Sequence, residues 1–158
     1  MKYIESPSEL VGSRNLRIFL AGGITNCPDW QQVVAANLKD VDGITLLNPR
    51  RADFPIDDPT AAKSQITWEY NMLREADIIL FWFPKDTLCP IVLYELGAHA
   101  GNLNKPIVVG THPEYKRIQD VTIQVGLVRD DVNIVDTLSG LLIELRRKIQ
   151  DIENKFDN

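Results

Sequence analysis

Residues 78–83 read Ile-Ile-Leu-Phe-Trp-Phe, six apolar side chains in succession. Successive side chains on a strand point to opposite faces, so a strand built from this run has no polar face to offer water. Both sides must be covered, as in a parallel sheet held between layers of helices. Residues 16–21, 43–47 and 106–110 carry the same signal, and Val132-Asn133-Ile134-Val135 is a candidate fifth strand. Segments of helical period lie between them. One enters at Asn26-Cys27-Pro28 and runs to Asp40 with Trp30, Val33, Val34 and Leu38 as its apolar set. A second spans 61–76, placing Ile66, Glu69, Met72, Leu73 and Ala76 on related faces. A third follows Pro90 and stops at Gly101-Asn102, and a short one covers 120–127. The last begins with Asp136 as N-cap and runs to the end, striped by Leu138, Leu141, Leu142, Leu145, Ile149 and Ile152. Residues 1–15 are a polar lead-in; 51–59 and 112–117 read as loops. The expectation is one α/β domain over residues 1–158, doubly wound and flavodoxin-like (Rossmann-like). Its sheet has five parallel strands with helices on both faces.

Charge and composition narrow the partners. The chain carries a net charge of −5 and its Lys and Arg residues are scattered, which argues against a nucleic acid polymer. No apolar run approaches about 18 residues and the N-terminus is too polar for a signal peptide, so neither a membrane nor export is expected. Cys27 and Cys89 lack metal-type spacing and read as reduced thiols of a cytoplasmic protein. No cofactor and no metal are expected.

In open α/β sheets ligands bind beyond the carboxyl ends of the strands, where the strand order reverses. That rule gathers three loops: Ala21-Gly22-Gly23-Ile24-Thr25, Asn48-Pro49-Arg50-Arg51 and residues 84–90. The Gly pair fits either a tight turn or a close approach of backbone amides to a sugar or phosphate. Arg50 and Arg51 fit an anion or plain surface. From the third loop springs the stretch 87–103, which has no Lys, Arg or Asp and a single carboxylate, Glu95. At helical spacing Glu95 shares a face with Ile91, Ala98 and Asn102, without a charged partner one turn away. Such a carboxylate either reaches water at the helix edge or is held in a pocket at a cost, and the apolar neighbours favour the pocket. Glu69, on the preceding helix, is either a surface residue or a second carboxylate aimed at the same crevice, where it would serve proton transfer to a leaving group.

Ile18-Phe19-Leu20-Ala21-Gly22-Gly23, Glu69 with Asp77 after it, and Tyr94-Glu95-Leu96-Gly97-Ala98 together resemble the nucleoside 2-deoxyribosyltransferases. The similarity runs over about residues 16–135 and is greatest to the branch with an LAGGI opening and an LCPIxLYELGAH helix. It implies a double displacement at the anomeric carbon of a 2′-deoxynucleoside, with net retention. Glu95 matches the nucleophile. Glu69 stands where the family places an acidic residue, usually Asp, that handles the proton of the base. Phe19 stands where many members carry Tyr, which leaves Tyr94 or a backbone amide to orient the nucleophile. Cys89 stands where many carry a sugar-contacting Asp. The implied substrate-binding set is Phe19, Ala21, Gly22, Gly23, Asn48, Arg50, Cys89 and Tyr94. Asp120 and Gln124 join it where a neighbouring subunit of a homodimer or higher homo-oligomer completes each pocket. Three functions are therefore expected in descending order: deoxyribosyl transfer between bases, hydrolysis of a nucleoside or nucleoside 5′-monophosphate, and nucleotide sensing without catalysis. The partners implied are small molecules, 2′-deoxynucleosides and free bases.

Overall fold

The computed structural model describes residues 1–12, 15–55 and 57–156. Each long apolar run forms a strand, and one short polar segment does as well. In chain order the elements are β1 (Lys2–Glu5), β2 (Leu16–Gly22), α1 (Trp30–Leu38), β3 (Ile44–Asn48), α2 (Ala61–Glu75) and β4 (Ile78–Phe83). They continue with α3 (Pro90–Ala100), β5 (Ile107–Thr111), α4 (Ile118–Val128) and α5 (Leu138–Phe156). The five strands are all parallel, in the order β1-β3-β2-β4-β5, and make a flavodoxin-like α/β fold. Alternation along β2 divides the core. Ile18 and Leu20 pack with Trp30, Val34 and Leu38 of α1 and with Leu141, Leu145 and Ile149 of α5. Phe19 and Ala21 face the layer of α2, α3 and α4 instead.

The sheet has five strands as expected, but one of them is a different segment. Residues 132–135 contribute only a single bridge, Gly110 to Val135, with Thr111 N–H donating to Val135 O at 2.9 Å and Val135 N–H to Val109 O at 3.1 Å. The strand comes instead from the expected lead-in: Lys2–Glu5 pairs with β3 at the opposite edge. Only Ile4 of that strand is buried, so it lacks the apolar signature of the others, as befits a short, polar edge.

Helix starts also shift. Asn26 adopts a left-handed φ of 57°, which delays α1 until Asp29 caps it by accepting from Gln32 N–H at 3.1 Å. Thr137, not Asp136, caps α5, its hydroxyl accepting from Gly140 N–H at 3.1 Å. Positions 13–14 of the expected lead-in, 56 of the 51–59 loop and 157–158 of the last helix lie outside the described residues. Among the described residues no helix is long and apolar enough to cross a membrane.

Candidate active site

The chain leaves β2 for β3 on one side and returns to β4 on the other, so the winding reverses at β2. The carboxyl ends of those three strands surround a cleft of about 400 Å³, a volume suited to a small organic ligand. Ala21, Gly22, Gly23, Ile24 and Thr25 form one wall, Pro49 and Glu69 a second, and Thr87, Cys89 to Val92 and Glu95 a third. Gly22 is there because nothing larger fits. A Cβ at that position would come within 2.4 Å of the Trp30 ring and 2.6 Å of the Trp82 carbonyl oxygen. Trp30 is pinned in turn, its indole N–H donating to Gly23 O at 3.0 Å.

Pro90 opens α3 at a position where its missing N–H leaves no hydrogen bond unmade. Cys89 precedes it in a left-handed conformation, φ 48° and ψ 53°, and its thiol lies 3.7 Å from Thr87 O. Tyr115 steadies this loop by donating its hydroxyl to Leu88 O at 2.7 Å. Burial pushes the Cys89 thiol up to about 12, so it lines the cleft as a neutral group.

Glu95 sits one turn into α3 with 9% of its surface exposed. No hydrogen bond reaches its carboxylate from the described residues. Burial, and after it the charge of Glu69, raises its carboxyl to about 8. Glu69 is also held above the ordinary carboxylate range by burial, while the Gln65 amide pulls the other way. Gln65 Nε2 donates to Glu69 Oε1 at 2.7 Å and to Pro49 O at 2.7 Å. Two carboxyl groups in one apolar cleft cannot both ionise cheaply, and Glu95 is the one that keeps its proton past neutrality.

A family model described as nucleoside 2-deoxyribosyltransferase like matches residues 15–115. The chain belongs to the nucleoside 2-deoxyribosyltransferase-like family. The matched span carries every wall of the cleft and both carboxylates. Membership is consistent with a nucleoside-processing enzyme. Among curated proteins, none matches the chain.

Of the residues singled out in this nucleoside 2-deoxyribosyltransferase-like chain, Ala21, Gly22, Gly23, Glu69, Cys89 and Glu95 meet at the cleft. The others lie elsewhere in the single chain. Phe19 is fully buried in the core, its ring 6.2 Å from that of Trp68. Asn48 braces the loop after β3, donating to the Tyr3 hydroxyl and accepting from Arg50 N–H at 3.0 Å. Arg50 is consumed in tying that loop to the segment before α1. Nη1 donates to Pro28 O at 3.1 Å, Nη2 to Cys27 O at 3.1 Å, and Nε lies 3.5 Å from Asp29. Tyr94 points outward, 76% exposed. Asp120 pairs with Arg117 at 2.9 Å on α4, and Gln124 is exposed on the same helix. Gln65 was not singled out, although its place four residues before Glu69 is the spacing at which helix side chains meet.

Proposed function

We propose that the protein transfers 2-deoxyribose between nucleobases through a covalent deoxyribosyl ester on Glu95. The observation that carries this reading is Glu95 itself, buried on the wall of an apolar cleft without a donor among the described residues and with Glu69 also on its walls. A structural carboxylate in that setting would be paired, because an unpaired buried one is costly.

In the first half-reaction a Glu95 oxygen attacks C1′ of the sugar while the C1′–N bond breaks. The proton that Glu95 carries in the free protein passes to Glu69 as Glu95 attacks, and Glu69 delivers it to the departing base, which leaves neutral. The incoming base then attacks C1′ and displaces Glu95, and its N–H proton returns to Glu69. Two inversions give net retention, as with paired carboxylates in retaining glycoside chemistry. Water in place of the second base turns the same machinery into a hydrolase. Among the described residues no Lys or Arg lines the cleft, which favours nucleosides over 5′-monophosphates. Ile91 and Tyr94, 63% and 76% exposed along α3, support a homodimer or higher oligomer in which a neighbouring chain covers the open side. We place this activity in the cytoplasm, with 2′-deoxynucleosides and free bases as partners.

Chromatography of the protein with 2′-deoxyinosine, with and without adenine, tests the reading. Deoxyadenosine formed only when adenine is present, and absent with Glu95→Ala, is the expected result. Hypoxanthine released without adenine dependence would make water the acceptor. Binding without any turnover would leave a sensor.

A further inference from the structure

Gln65 lies between the N-terminal edge strand and the candidate acid, and its bonding leaves its amide only one orientation. The Ser6 hydroxyl, 4% exposed, donates to Gln65 Oε1 at 2.7 Å. Ser6 is itself fixed, its N–H donating to Asn48 O at 3.0 Å. The Pro49 carbonyl can only accept, so the NH2 end must face Pro49 and Glu69, and Oε1 is left to take the Ser6 hydroxyl proton. Both NH2 hydrogens are used, at 2.7 Å each. Glu69 Oε1 is therefore an acceptor, and Oε2 is the oxygen left for the cleft.

We infer that Gln65 is the positioning residue of Glu69, locked by Pro49 and Ser6 so that the proton Glu69 gives to the leaving base is carried on the cleft-facing Oε2. This inference rests on the proposed function for the identity of the proton's destination, and on geometry alone for the orientation. A proton on Oε1 would either set two donors against each other or leave the Gln65 N–H with a hydroxyl oxygen, a poorer acceptor than a carbonyl or carboxylate oxygen. The network disfavours that arrangement and saves the ordering of the acid at the moment of reaction. Glu95 is the titratable side chain on the facing helix, and Cys89, the remaining titratable group of the lining, is a neutral thiol. No Lys, Arg or His among the described residues lines the cleft to compete for Glu69. Ser6, directly after β1 and outside the span matched by the family model, thereby acquires a part in the site.

The test uses Gln65→Leu and Ser6→Ala in the full chain. Steady-state rates are measured on purine 2′-deoxynucleosides whose leaving bases differ in acidity. Losing the positioned acid should cost Gln65→Leu about 10- to 100-fold in kcat on the poorest leaving base and only a few-fold on the most acidic, with KM little changed. Ser6→Ala should show the same slope at a few-fold amplitude. An equal loss on every substrate, the mark of a merely structural role, would overturn the inference. A carbon-13 NMR titration of the Glu69 carboxyl, assigned with Glu69→Gln, gives a readout that needs no turnover. The inference expects the carboxyl to titrate at higher pH in Gln65→Leu, because an N–H donor to the ionised form has been lost. An unchanged titration overturns it, whether or not the protein processes any nucleoside. A wild type inert toward every nucleoside, with the Glu69 titration shifted in Gln65→Leu, would instead sink the proposed function and leave the orientation standing.

Discussion

The two faces of the sheet use the same strands differently. On the face of α1 and α5 the packing is apolar except for Gln31, whose amide is bonded to Gly23 O and Arg50, and Leu141 and Leu145 are fully buried against Ile18, Leu20 and Val108. On the face of α2, α3 and α4 the packing is as dense in its middle, where Phe81 and Phe83 are fully buried, yet its carboxyl end keeps two carboxylates and a cleft. A layer selected only for stability would have closed that end with apolar groups. The contrast separates residues that hold the fold from residues that burden it, and each can be tested by removing it.

The largest effect is expected on the burdened face. Glu95→Ala should lower kcat by about 10⁴-fold or more, the scale on which lost nucleophiles are felt, with transfer followed by chromatography. The isosteric Glu95→Gln should be equally inactive but more stable than the wild type at neutral pH. The reason is linkage. The folded chain keeps the Glu95 proton up to about pH 8, whereas an ordinary Glu in the unfolded chain releases it near 4.5. Between those values the folded state binds the extra proton, so stability falls as pH rises through the window and levels off above it. Urea melts between pH 5 and 8 should show a decline of up to a few kcal/mol that Glu95→Gln lacks; parallel curves for the two proteins would mean that Glu95 is solvated or paired.

On the opposite face the sign reverses. Leu145→Ala should destabilise by about 3 kcal/mol in the same melts and leave kcat unchanged where the protein remains folded. Gly22→Ala sits on the border between the faces. Its added methyl meets the Trp30 ring and the Trp82 backbone, and about 2 kcal/mol of overpacking strain should accompany a loss of activity as the cleft wall moves. The smallest effect belongs to the surface pair of Arg117 and Asp120. Asp120→Asn should change stability by no more than about 0.5 kcal/mol, since both side chains are well exposed. A fall in its activity that appears only in the assembled oligomer would mark Asp120 as a residue given to a neighbouring cleft.

What could be read in advance follows the same division. Apolar runs announced β2 to β5, because burial on both faces leaves no other composition available to a strand. Glu95 stood out because its helix offered no charge to pair with it. Strand β1 was hidden, since an edge strand with one buried residue, Ile4, looks like any polar lead-in. Arg50 and Asn48 looked like ligand groups because sequence reports a side chain's chemistry and not where its donors are spent. In the fold those donors tie the loop after β3 to its neighbours. The Ser6–Gln65–Glu69 chain joins residues 59 positions apart at its first link, a distance no local pattern spans.

The most direct test of the account is to trap the intermediate. The protein is mixed with a 2′-deoxynucleoside in the absence of an acceptor base, quenched in acid within the first turnover, digested, and read by mass spectrometry. The account predicts one added deoxyribosyl group on the peptide that contains Glu95, discharged when adenine is supplied before the quench. Turnover with that peptide never modified, or with the sugar on another residue, would contradict it.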